Sequence, residues 1–151
     1  MSNFEKNLEQ ALNNAKRLTD KILIDGKLIS AQTNNKIPVL NPSTGDNIGS
    51  APQCDKNDVN IAVESAYKAF QKWKKIPARE RGKMVAAGAK RLEERKSEIE
   101  TLLSLDTGNA LRTQAIPETA ASIELTNMFA GLSGELKGEN YPTNIPNSIH
   151  Y

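Results

Sequence analysis

From Asp55 to Gly138 the apolar residues of this chain recur every three or four positions, and so long a run at that spacing must form helices laid against something. Val59, Ala62, Val63, Ala66, Phe70 and Trp73 make the first stripe, opened by Asp55 and Asp58 as an acidic cap resembling a capping box. Pro77 suits the first turn of a second helix, which carries Met84, Val85, Leu92, Ile99, Leu102 and Leu103 and stops at Gly108, a span of about 45 Å. A third helix runs through Pro117, sets Leu125, Met128, Phe129, Leu132 and Leu136 on one side, and ends near Gly138. Helices of this length need a long partner surface.

Ahead of them the period changes. Ile22-Leu23-Ile24 and Leu28-Ile29 flank Asp25-Gly26, a dipeptide that tolerates the positive φ angles of a two-residue hairpin. A second hairpin spans Val39 to Pro52, with Pro42 and Gly45 supplying a fixed φ and a permissive one around Asn-Pro-Ser-Thr-Gly. Phe4, Leu8, Ala11, Leu12, Ala15 and Leu18 put one amphipathic helix in front of both hairpins, either a docking helix or a lid on the core. Pro142, Pro146 and Ser-Ile-His-Tyr read as the start of a further strand.

The 151 residues suffice for one domain, but only 38% are apolar and 5% aromatic, so material for a core is thin. A net charge of +2 is spread through mixed runs such as Lys90-Arg91-Leu92-Glu93-Glu94-Arg95-Lys96, the pattern of a solvated helix face and not of a nucleic-acid surface. No apolar stretch approaches a membrane span, and Glu5 and Glu9 stand where a signal peptide is basic and then apolar. The single cysteine agrees with a reducing compartment, so the expected location is cytoplasmic.

Few residues offer chemistry. Cys54 precedes a helix N-terminus, where a thiol pKa falls, but the one histidine is at position 150, so no base is at hand. Ser65-Ala-Tyr-Lys68 matches a serine acyl-enzyme pattern without its companion motifs and reads as helix surface. Gly131-Leu-Ser-Gly134-Glu-Leu-Lys-Gly138 follows a helix where phosphate loops follow a strand, so its glycines are read as thinning a closely packed helix and then ending it. Glu93, Glu94, Glu98 and Glu100 have no His or Cys nearby and suggest no metal site.

The order of several short segments resembles the N-terminal part of an NAD(P)-dependent aldehyde dehydrogenase. They are Ile24-Asp25-Gly26-Lys27, Asn41-Pro42-Ser43-Thr44-Gly45-Asp46, Asp58-Val59-Asn60-Ile61-Ala62-Val63, Ala69-Phe70, Trp73, Pro77-Ala78-Arg79-Glu80-Arg81-Gly82, Asp106-Thr107-Gly108-Asn109, Phe129-Ala130-Gly131 and Glu135-Leu136-Lys137-Gly138. The resemblance implies an α/β fold for the complete enzyme, of which this chain supplies a mainly α portion with N-terminal β-hairpins. On that reading 1–20 is an extra helix outside the match, 21–140 holds the hairpins and three long helices as the outer layer of the cofactor-binding domain, and 141–151 opens an oligomerisation strand.

The resemblance further implies that a complete relative binds NAD or NADP, attacks an aldehyde with a thiolate, passes hydride to the nicotinamide and hydrolyses the thioester to an acid, as a dimer or tetramer. The family's nucleophilic cysteine, glutamate base and Gly-rich βα turn come later than residue 151. No catalytic or cofactor-binding residue is therefore assigned here, no cofactor is expected for this chain alone, and Cys54 does not match the nucleophile. One carry-over falls inside the chain: a structural monovalent cation held through Val39, Leu40 and Asp106. The other reading of Asp106 is that it caps or hydrogen-bonds the turn that follows. Two functions result: an N-terminal fragment or truncated form of an aldehyde dehydrogenase, silent by itself, or a helical interaction module that docks on a second copy or on the remainder of the enzyme.

Overall fold

The computed structural model describes residues 3–139 and 144–148. Helix α1 (Asn3–Leu18) leads into two antiparallel hairpins, β1 (Lys21–Ile24) with β2 (Lys27–Ser30) and β3 (Lys36–Leu40) with β4 (Asn47–Pro52). Four helices follow: α2 (Lys56–Trp73), α3 (Ala78–Glu94), α4 (Lys96–Thr107) and α5 (Ile116–Leu132), the last entered through a π-helical turn at Leu111–Ala115. The chain is mainly helical with N-terminal strand pairs, as its periodicities require.

Local chemistry accounts for the hairpins. Asp25 and Gly26 both take positive φ, 52° and 72°, which matches the right-handed twist of the strands they join. In the second hairpin Val39 pairs with Gly49 while Leu40 pairs with Asn47, so Ile48 is an extra residue, a β-bulge. The Asn47 side chain accepts from the Gly49 N–H at 2.9 Å and holds the bulge, and Ile48 is buried.

The cap of α2 forms as its sequence implies. Asp55 accepts from the N–H groups of Asn57 and Asp58 at 2.7 and 2.9 Å, and the Asp58 carboxylate accepts from the Asp55 N–H at 3.2 Å. Asp58 is itself buried, and its other oxygen accepts from the Gln32 N–H at 3.0 Å, tying the loop after β2 to the helix.

The single long helix expected from Pro77 to Gly108 is instead two. The chain leaves helical geometry at Arg95 (φ −113°, ψ 15°), whose guanidinium makes two hydrogen bonds to Glu98, at 2.9 and 2.5 Å. No proline or glycine stands there, so packing decides the break: α3 lies along α5, whereas α4 lies against α1. Among the described residues of 21–140 there are thus four α-helices where three were expected. The last of them ends at Leu132 and not near Gly138, because Leu136 finds nothing to bury it and stays 96% exposed.

The start of α3 meets the end of α5 at Gly82, where a Cβ would stand 2.5 Å from the Ala130 carbonyl oxygen. Close packing is therefore carried by Gly82, while Gly131, expected to thin the helix contact, faces open space. Among the described residues the buried apolar set is small, Ala11, Ile24, Ile48, Ala89, Ala115, Ile123 and Ala130, and no large side chain is fully buried. The thin core expected from composition is what forms. Of the strand expected at 141–151, residues 141–143 and 149–151 lie outside the described residues, and 144–148 form a turn closed by the Ser148 hydroxyl on the Ile145 carbonyl at 2.8 Å.

Candidate functional site

Two tight turns bring the tip of the second hairpin onto the end of α4. In the first, the Gly45 N–H donates to the Asn41 carbonyl at 2.8 Å, the Asn41 N–H donates to the Asp46 carbonyl at 2.9 Å, and Gly45 takes a φ of 77°. In the second, Gly108 ends α4 in the left-handed conformation at φ 76°, and a Cβ there would stand 2.8 Å from Cγ of Pro42. Glycine is thus required at 108 by both conformation and space.

This docking places Val39 and Asp106 on one open cavity of about 380 Å³, whose walls also include Ala15 and Leu18 of α1, Thr19 just after it, Ile48 and Ser50 of β4, and Leu103 of α4. Leu40 is not on that wall and is half exposed. The Asp106 carboxylate makes no hydrogen bond among the described residues. The turn after it is held by Thr107, whose hydroxyl donates to the Leu103 carbonyl at 2.7 Å and accepts from the Asn109 N–H at 3.2 Å. The capping role considered for Asp106 falls to its neighbour, which leaves the carboxylate available.

A carboxylate and main-chain carbonyls are the donors a hard monovalent cation takes. Asp106 and Val39 fit that donor set, and of the other lining residues only Thr19 and Ser50 carry a side-chain oxygen. No group of three His, Cys, Asp or Glu side chains converges among the described residues.

The other sequence candidates stay apart. Cys54 is exposed beside the Asp55 cap, and His150 lies outside the described residues. Ser65 and Lys68 make no hydrogen bond to each other and line an open groove of about 850 Å³ along α2 with Ile61, Ala69 and Trp73.

One cluster escaped sequence reasoning. Asp20, at the joint between α1 and β1, takes a φ of 60°; its carboxylate pairs with Lys36 and accepts from the Ser50 hydroxyl at 2.6 Å, and its N–H donates to the Ser50 carbonyl at 3.1 Å. The hydrogen bonds from Lys36 and Ser50 hold its pKa below the ordinary carboxylate value. The partners lie 16 and 30 residues away in sequence, so no local pattern announces them.

The backbone fold has counterparts among solved structures. The betaine aldehyde dehydrogenase of Staphylococcus aureus, solved in complex with NAD+, superposes with a TM-score of 0.84 at 27% identity, over 95% of this chain and 29% of that one. HpcC of Thermus thermophilus superposes at 0.86 with 23% identity, over 93% of this chain and 27% of that one, and shows the fold.

Residues 28–151 match the aldehyde dehydrogenase family, and the chain belongs to it. Aldehyde dehydrogenase tropH of Talaromyces stipitatus is 36% identical over 132 residues, 86% of this chain and 25% of the relative. Phenylacetaldehyde dehydrogenase of Pseudomonas fluorescens is 33% identical over 132 residues, 86% of this chain and 26% of the relative. The chain spans about a quarter of the length of these relatives. Its hairpins and helices are the N-terminal part of the aldehyde dehydrogenase fold.

Proposed function

We propose that this chain is the N-terminal scaffold of an NAD(P)-dependent aldehyde dehydrogenase, an oxidoreductase converting an aldehyde to a carboxylic acid, and that it is catalytically silent by itself. The observation that carries this is family membership over residues 28–151 in a chain that spans about a quarter of the length of its relatives. Its contribution is to hold the hairpins and helices on which the nucleotide-binding and catalytic segments of a complete enzyme rest. The reading includes a homo-oligomeric, cytoplasmic enzyme and leaves NAD and NADP as equal candidates.

Within that scaffold Val39 and Asp106 are proposed as part of a structural monovalent-cation site, with Leu40 as the third residue of the set. The shared cavity and the unpartnered carboxylate support the first two. Bound there, a cation would fix the hairpin tip to the end of α4 by charge. The pure 151-residue chain is expected to show no NAD- or NADP-dependent oxidation of benzaldehyde, phenylacetaldehyde or betaine aldehyde; measurable turnover that scales with chain concentration would overturn the reading.

A second reading, an interaction module, is favoured by the apolar stripe Val59, Val63, Tyr67 and Phe70 along α2, each more than half exposed. It is distinguished from the first by whether that stripe serves a partner in the absence of the other enzyme segments.

A further inference from the structure

We propose that α1 is a strap over the cavity that loosens as a unit, its C-terminal end secured by the Asp20 contacts to β3 and β4. Four observations place the weak seam there. Ala11 is the one residue of α1 that is fully buried among those described, Leu8, Leu12 and Ala15 are half-buried and Leu18 is 39% exposed, so the seam of α1 on α4 is only partly shielded from water. The cavity of about 380 Å³ lies directly beneath its last turn, against Ala15 and Leu18, where packing contacts are missing. Asp20 stands at the joint in the left-handed region at φ 60°, a conformation that costs a non-glycine residue and marks a point where the chain changes direction.

The fourth observation is the latch itself. The carboxylate of Asp20 is held by Lys36 of β3 and by the Ser50 hydroxyl of β4, and its N–H by the Ser50 carbonyl. These contacts add a polar anchor at the end of α1 to its packing along α4. Below them β4 is tied to β3 by its ladder, and the hairpin tip is pinned to α4 at Gly108, so the frame stays fixed when the latch releases. Opening removes Ala15 and Leu18 from the cavity wall and makes Val39, Ile48 and Asp106 reachable from the side α1 covers.

Hydrogen exchange by mass spectrometry on the whole chain, resolved to α1 and to α3 with α5, tests this. In the unmodified chain the amides of 3–18 are expected to exchange well ahead of those of 78–94 and 116–132. Asp20→Gly, which relieves the positive φ while removing the side-chain latch, is expected to speed exchange in α1 by about two- to fivefold, the scale of a solvent-exposed ion pair, and to leave α3 and α5 unchanged. Ser50→Ala, a milder cut of the same latch, is expected to act in the same direction on α1 alone. Exchange of α1 in step with α3 and α5 in the unmodified chain overturns the proposal, as does an α1 indifferent to both substitutions in a folded variant. If Asp20→Gly does not fold, the unmodified chain and Ser50→Ala decide.

Discussion

Gly82 shows how a single missing methyl group sets the relation of two helices. A Cβ at this position would stand 2.5 Å from the Ala130 carbonyl oxygen and closer still to the Ser133 hydroxyl, and the carbonyl belongs to the α5 backbone, which cannot swing aside as a side chain can. Gly82→Ala is expected to force α3 and α5 apart and lower stability by about 1–3 kcal/mol in urea unfolding. Gly88→Ala on the same helix, where a Cβ meets nothing, is the control and is expected to gain about 0.5–1 kcal/mol from helix propensity. A loss no larger at 82 than at 88 would mean the contact is not tight. Thr119 poses the opposite case, since its hydroxyl is buried without a hydrogen-bond partner among the described residues. Thr119→Val exchanges that hydroxyl for a methyl of similar size and is expected to leave thermal stability unchanged or raise it by up to about 1 kcal/mol; a fall in Tm would reveal a partner for the hydroxyl.

Among elements, α2 depends on its first turn more than its length suggests. Of its residues Asp58 alone is buried, and that one carboxylate serves both the Asp55 N–H of the cap and the Gln32 N–H of the preceding loop. Asp58→Ala is expected to cost about 1–3 kcal/mol in chemical unfolding, beyond an ordinary cap, because Gln32 also loses its acceptor; a loss below about 0.5 kcal/mol would show that the loop tie is idle. The capping box was legible from Asp55 and Asp58 because both partners sit within one turn, and the Asp25-Gly26 turn and the stop at Gly108 were legible for the same reason. The break at Arg95 and the end of α5 at Leu132 were not. Both follow from what each helix meets in space, α5 for α3 and α1 for α4, and charge runs such as Glu93 to Lys96 carry no record of it. The candidate cation site was legible only through family resemblance, since two carbonyl-bearing residues and an aspartate 66 positions further on form no pattern by spacing. The Asp20 cluster, built from three distant segments, left no trace to read.

At the scale of the molecule the described surface holds more apolar side chain than its interior. Helix α5 carries apolar residues around its whole circumference, a pattern that belongs to a buried helix, yet Leu125, Met128 and Leu132 are about half exposed and Phe129 is 63% exposed. On α2, Val63 and Tyr67 are 61% and 64% exposed, and Trp73 faces an open groove. In the proposed function these faces meet the remaining segments of an enzyme about three and a half times the length of this chain. Alone, they leave contiguous apolar area of the kind that a solution monomer rarely tolerates beyond several hundred Å². The 151-residue chain is therefore expected to bind an anilinonaphthalene dye under native conditions and to self-associate in sedimentation as its concentration rises. Phe129→Ser with Leu125→Gln, both solvent-facing and so without a cavity to leave behind, is expected to weaken dye binding and shift the chain toward monomer without loss of helix by circular dichroism. A chain that stays monomeric and dye-silent at high concentration would mean that these faces close on one another in solution, and that the scaffold is complete without the segments it is proposed to carry.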